Sequence, residues 1–178
     1  SQLAMGTFDD VNAISKIAVN THLAGAAGTV TAAVVTRLLG GKTDIVMMLN
    51  GALAGLVAIT AEPLTPSPLF AILIGSIGSL IMYFGTKFLE SKKIDDVVGA
   101  IPVHMFAGIF GTLVVPMSNP DTSFGTQLTG VISVCLFSFI LSYIVFKVLH
   151  ATIGLRISAQ AEKLGTDVAE VGVKAYAI

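Results

Sequence analysis

The chain has 178 residues, of which 54% are hydrophobic and 12% charged, with a mean hydropathy of +0.87, whereas a soluble domain carries about 25% charged residues. A net charge of −1 lacks the basic footprint of a nucleic-acid binder, and a single Cys excludes a disulfide framework or a cysteine-rich metal centre. The composition points to an all-α, polytopic transmembrane helix bundle, in which 18 Gly spread through apolar runs let helices approach closely.

A hydrocarbon core of roughly 30 Å takes about 20 apolar residues of helix. Five apolar runs follow in chain order, at about 11–39, 45–60, 69–89, 97–116 and 127–155. The second spans only roughly 24 Å as a helix, so it needs its flanks, a thinned bilayer or a place inside the bundle. The opening Ser1-Gln2-Leu3-Ala4-Met5 has no basic stretch, which argues against a cleaved signal peptide. Turn and cap chemistry separates the runs: Gly40-Gly41-Lys42, Glu62-Pro63 to Pro66-Ser67-Pro68, Lys92-Lys93-Ile94-Asp95-Asp96, and Ser118-Asn119-Pro120-Asp121. These connections are short, so neighbouring helices are expected to run antiparallel.

Five spans place the termini on opposite sides of the membrane. One side collects Arg37, Lys42, Lys87, Lys92 and Lys93, together with Arg156, Lys163 and Lys174. The other holds Asp9, Asp10, Glu62 and Asp121. The positive-inside bias puts the first side in the cytoplasm, with the amino end outside and the carboxy end inside. Lys16 falls toward the outer end of the first helix, where it can snorkel. Residues 1–156 are thus read as the membrane part and 157–178 as a polar cytoplasmic tail, which in isolation is expected to be disordered.

Polar residues inside a membrane are costly and mark candidate sites. His104 stands eight residues into the fourth run between Val103 and Met105, where its imidazole needs a protein partner, a cavity or a pore. Position alone leaves two readings, a functional histidine or a core histidine bonded to a carbonyl. Asp95 and Asp96 open the same run, where capping of free amides is the expected role. Eight residues of helix are roughly 12 Å, too far for a direct Asp–His pair. Asn20, Thr21 and His22 interrupt the first run, and at least one of them should hydrogen-bond across a helix interface. His150 falls at the inner end of the last run. The pairs Ala24/Gly28, Gly51/Gly55 and Gly108/Gly111 read as packing contacts.

Gly41-Lys42-Thr43 resembles the end of a phosphate-binding loop, but the glycine that the motif needs is Thr36 here. No Ser/His/Asp constellation, HExxH or paired Cys occurs, so neither enzymatic catalysis nor a bound cofactor is expected.

The stretch Asn50-Gly51-Ala52-Leu53-Ala54-Gly55-Leu56-Val57-Ala58-Ile59-Thr60, then Ile94-Asp95-Asp96, Val103-His104 and Gly108-Ile109-Phe110-Gly111-Thr112-Leu113, then Thr152-Ile153-Gly154-Leu155-Arg156, resembles the ammonium transporter (Amt/Mep/Rh) family. Val19-Asn20-Thr21 and the tail stretches Gly165-Thr166-Asp167 and Ala175-Tyr176 add to the likeness, which covers essentially the whole chain. The resemblance implies the carboxy-terminal half, helices seven to eleven, of an eleven-helix inverted-repeat transporter, and agrees with the orientation read from charge. It further implies a homotrimer in the cell membrane, with one ammonium or ammonia pore per subunit and a PII-class signal protein as partner at the cytoplasmic face. His104 matches the second of two facing pore histidines, whose first member would lie on the other half. Ser1 matches a serine of the outer vestibule, although the five residues that should precede it are absent. Met105 stands where the family commonly has Gly, Phe110 where Trp is frequent, and Val171 where the tail often has His.

Pore chemistry follows from physics. Burying an ammonium ion in an apolar channel is costly, whereas neutral ammonia avoids most of that penalty. An imidazole beside the channel can relay the proton, and potassium has none to lose. The resemblance leaves two other functions: an ammonium sensor fused to a signalling domain, or a scaffold subunit that does not transport.

Overall fold

The computed structural model describes residues 6–175. All regular structure among them is helical. Helix α1 spans Phe8–Gly40, α2 Ile45–Thr60, α3 Pro68–Ser91, α4 Ala107–Val114, α5 Phe124–Thr152 and α6 Ala159–Leu164. A π-helical turn, Ile101–Phe106, runs directly into α4, and a 3-10 turn, Val115–Met117, ends it. The chain divides into two compact units, one ending at Val131 and the other beginning at Ile132.

Local chemistry sets the helix ends. The first helix begins at Phe8, three residues before the apolar run, because Thr7 and Asp10 form a reciprocal capping box. Gly41, at φ +75°, closes it in the left-handed region. The side chain of Asp44 accepts the Met47 N–H to start α2, and Ser67 caps α3 ahead of Pro68. The fourth span begins at Ile101 rather than near Val97, since Val97 to Gly99 form the turn that Asp96 organises.

In the first unit, three main chains come together around Ala24, which is wholly buried. Gly55 of α2 and Gly75 of α3 both lie against the Ala24 carbonyl, and Gly28 lies against the Gly51 carbonyl. A methyl group at any of these three glycines would overlap main-chain atoms of the neighbouring helix. Buried Ser79 donates its hydroxyl to the Gly28 carbonyl at 2.8 Å, adding a bond between α3 and α1 at the same level. The small-residue pairs thus act as packing contacts, and the short α2 touches α1, α3, the π turn and α4 through one side, while Ile45, Val46, Leu49 and Leu53 are exposed.

Two apolar clusters flank this seam. Ala58, Ile59, Ala71 and Ile74 pack with Ala24, against Phe70, Phe110 and Val114. Ala54 and Met82 pack with Val103 and Ala107, which joins the His104 segment to α2 and α3.

Helices α1, α3 and α5 are each long and apolar enough to cross a membrane, and α2 and the Ile101–Met117 segment are shorter apolar helices. Helix α5 buries none of its residues; Ile132, Phe137, Ile140, Val145 and Phe146, distributed around its circumference, are all exposed. A helix apolar on all sides is matched to lipid or to other helices rather than to water.

In the second unit, the segment after α5 forms α6, capped by Ser158, and a π turn over Asp167–Val171. The Asp167 carboxylate accepts the Ala175 N–H at 2.8 Å and so closes a loop across a separation of eight positions. Arg156 pairs with Glu162 at 2.9 Å, an exposed contact worth little by itself.

Two outcomes follow. G28A should destabilise the protein by about 1–3 kcal/mol through overpacking, while G40A, with nothing within 4 Å of the added methyl, should not; thermal unfolding in detergent measures both. The Ala175 N–H, and after it that of Val168, holds the Asp167 carboxyl below its ordinary range. A depressed pKa supports the folded loop fully above the ordinary Asp value of about 3.9, and that support is lost as pH falls through the folded value. Amide exchange at Ala175, corrected for intrinsic rate, should therefore accelerate below about pH 4, and D167N should abolish that dependence.

Candidate functional site

The site is built around His104. Pro102 and Val103 are buried, and Val103 and Ala107 enter the cluster with Ala54 and Met82. His104 and Met105 are exposed, so the segment turns its apolar neighbours into the core and leaves the imidazole on its open face.

The backbone here is unusual. The Ala107 N–H reaches the Pro102 carbonyl, five residues back, which is the widened turn of a π-helix, a geometry frequent at functional sites. Against α3, Gly85 leaves room for the Phe106 ring and Pro102.

The start of the segment is held by polar contacts. Both oxygens of the Asp96 carboxylate accept main-chain bonds, one from Ala100 N–H at 2.9 Å and one from Ile101 N–H at 2.8 Å. Asp95, expected to share the capping, instead lines a cavity of about 240 Å³ with Thr86, Leu89, Glu90, Asp96 and Pro102. Asn50, in the middle of α2, donates its side-chain amide to the Val98 carbonyl at 3.1 Å. Gly99 adopts φ +75°, and a Cβ there would stand 2.6 Å from the Asn50 Nδ2. Sequence reasoning missed Asn50 as a candidate: it reads as the first residue of a packing stretch, and its polar character at that position is the one signal that marks it.

Asn20 is completely buried and gives both amide hydrogens to the loop between α2 and α3, one to the Pro63 carbonyl and one to that of Pro66, each at 2.9 Å. Its Oδ1 is buried without a partner among the described residues. The expected polar contact across an interface is thus made by Asn20, whereas Thr21 lies half-buried beside it and His22 bonds the Ala18 carbonyl of its own helix. At the same end, Glu62 accepts the N–H groups of Leu64 and Thr65 and the amide of Asn119. Ser1 lies outside the described residues.

Two other cavities open on the first unit. One of about 650 Å³ is lined by Thr36, Lys42, Asp44, Tyr83 and Lys87, and one of about 560 Å³ by Asp9, Asn12, Ser15, Lys16 and Asn20. His104 lines neither. Among the described residues, no three His, Cys, Asp or Glu side chains converge as a metal-binding group.

Comparison with known proteins gives the family. The family model described as Ammonium Transporter Family matches residues 4–176. The ammonium transporter Amt2 of Archaeoglobus fulgidus is 40% identical over 184 residues, covering 92% of this chain and 39% of that protein. Among solved structures, a sensor Amt protein superposes with a TM-score of 0.81 at 32% identity, over 88% of this chain and 42% of that one. Mep2 of Candida albicans gives a TM-score of 0.76 at 26% identity, over 89% and 40%. The chain thus spans about two fifths of the length of the relatives it matches. With its membrane-spanning helices and a family match along nearly its whole length, the chain is an integral membrane protein that belongs to the ammonium transporter family.

Proposed function

We propose that the chain supplies part of a transport path for ammonium or ammonia, with His104 as a pore-lining group that relays a proton. The observation that carries this reading is the exposed imidazole on a π turn, in a chain whose family match runs from residue 4 to residue 176. Buried Val103 and Ala107 fix one side of the segment, so its open side is free to border a passage completed by the rest of a longer protein. Neutral passage with a separately returned proton explains why an apolar path can admit ammonia and reject potassium. An inverted-repeat transporter places its path between two halves, and residues 1–156 correspond to one of them. In this reading the protein sits in the cell membrane with its amino end outside and residues 157–178 in the cytoplasm, as the basic loops require. It assembles as a homotrimer, and the tail is the contact for a PII-class signal protein. Ser1 belongs to the outer vestibule.

A second reading, an ammonium sensor, is favoured by the superposition on a solved sensor Amt protein. A signalling domain encoded downstream of Ile178 would decide for it.

In the full-length protein, H104A should reduce ammonium uptake into proteoliposomes by about 100-fold or more, in the range of proton-transfer contributions. Its unfolding temperature should stay within about 4 °C, equivalent to about 1 kcal/mol. Uptake and ammonium-over-potassium selectivity at wild-type level would overturn the pore role. Vesicles holding only the 178-residue chain should show no ammonium uptake above empty vesicles; uptake by them would place the whole path within this chain.

A further inference from the structure

The loop that leads into the His104 segment has almost no apolar anchorage. Val97 is 88% exposed and Val98 69% exposed, so side-chain burial does not hold this stretch against the bundle. What ties it to the neighbouring helix is the Asn50 amide, which crosses 48 positions of sequence to bond the Val98 carbonyl. The next residue, Gly99, takes φ +75° and leaves the space that the Asn50 amide occupies. Directly after it, the Asp96 carboxylate collects the N–H groups of Ala100 and Ile101 and starts the π turn. The contacts thus form a series from α2 through Val98 and Gly99 into the turn that carries the imidazole.

We propose that Asn50 is a positioning residue for His104: through the Val98 carbonyl it fixes where along α2 the π turn begins, and so sets the height and direction of the imidazole without touching substrate. The inference rests on the pore role of His104. A helix advances about 1.5 Å and turns about 100° per residue, so a slip of one residue at the turn would carry the imidazole off its face. A misplacement of about 1 Å can lower a rate about 100-fold. Asn50 itself is half-buried and bonded to backbone, which separates its role from that of His104.

The test uses the full-length protein in proteoliposomes and compares wild type with N50D, N50Q, G99A and H104A. Readouts are ammonium flux per folded protein, ammonium-over-potassium selectivity and the pH profile of flux. N50D keeps the shape but turns a donor into an acceptor facing the Val98 carbonyl; it should lower flux about 10–100-fold and change selectivity and pH profile in the same sense as H104A. N50Q retains the amide donor and should recover part of the loss. G99A, which pushes a methyl into the Asn50 amide from the opposite side, should reproduce the N50D effect and serves if N50D does not fold. If N50D or G99A folds and keeps wild-type selectivity and pH profile while H104A alters them, positioning by Asn50 is wrong. If a fall in folded protein is the sole effect, Asn50 is a structural staple and the proposal is likewise overturned. If H104A itself leaves flux, selectivity and pH profile unchanged, the pore role fails and this inference falls with it.

Discussion

The close approach of three main chains at Ala24 is the constraint on which the first unit depends. Lipid tails are as apolar as leucine, so burial of apolar side chains does little to bring helices together in a bilayer; tight packing and interhelical hydrogen bonds take its place. Gly28, Gly55 and Gly75 supply the first, and the Ser79 hydroxyl on the Gly28 carbonyl supplies the second. The 16-residue α2 is placed by this seam between α1, α3 and the segment that carries His104. One side of α2 meets α1 and α3 through Gly51 and Gly55, while Ala54 and Ala58 support Val103, Ala107 and Gly111.

Because α2 is fixed on one side by the seam, it can serve as the reference for the segment that carries His104. Val103 and Ala107 lock that segment by apolar contact, and Asn50 and Asp96 lock its start by hydrogen bonds to backbone. The two kinds of contact are complementary. Apolar packing sets which face is buried but tolerates sliding, whereas a directed bond to one carbonyl sets the register. Within the π turn His104 and Met105 are exposed while Pro102 and Val103 are buried.

Polar side chains elsewhere in the first unit follow the same economy of main-chain partners. Asn20 ties α1 to the Pro63 and Pro66 carbonyls, and Glu62 gathers the amides of Leu64 and Thr65 with the side chain of Asn119. Loop carbonyls next to prolines have few local donors, so a distant asparagine satisfies them. His104 departs from this pattern in lying open, and it is the residue whose chemistry suits proton transfer.

The sequence by itself determined the helical class, the five apolar segments, the small-residue packing and the family, because apolar run length, turn residues and motif spacing are local properties of the chain. It also singled out His104, whose polarity conflicts with its surroundings, and Asn20, for the same reason. Thr7 was legible but passed over: Thr7 to Asp10 is a capping box that starts α1 ahead of its apolar run. Only the tertiary structure decided that Asp96 and not Asp95 caps the His104 segment, since adjacent residues of one type differ only in where the backbone aims them. It alone decided that α2 packs against α1, α3 and the His104 segment, that the turn at Pro102 is a π turn, and that Asn50 meets Val98. The packing of α2 and the Asn50–Val98 bond depend on groups that the folded chain brings together from distant positions, and the π turn on whether one N–H reaches five residues back rather than four, and no local pattern encodes either.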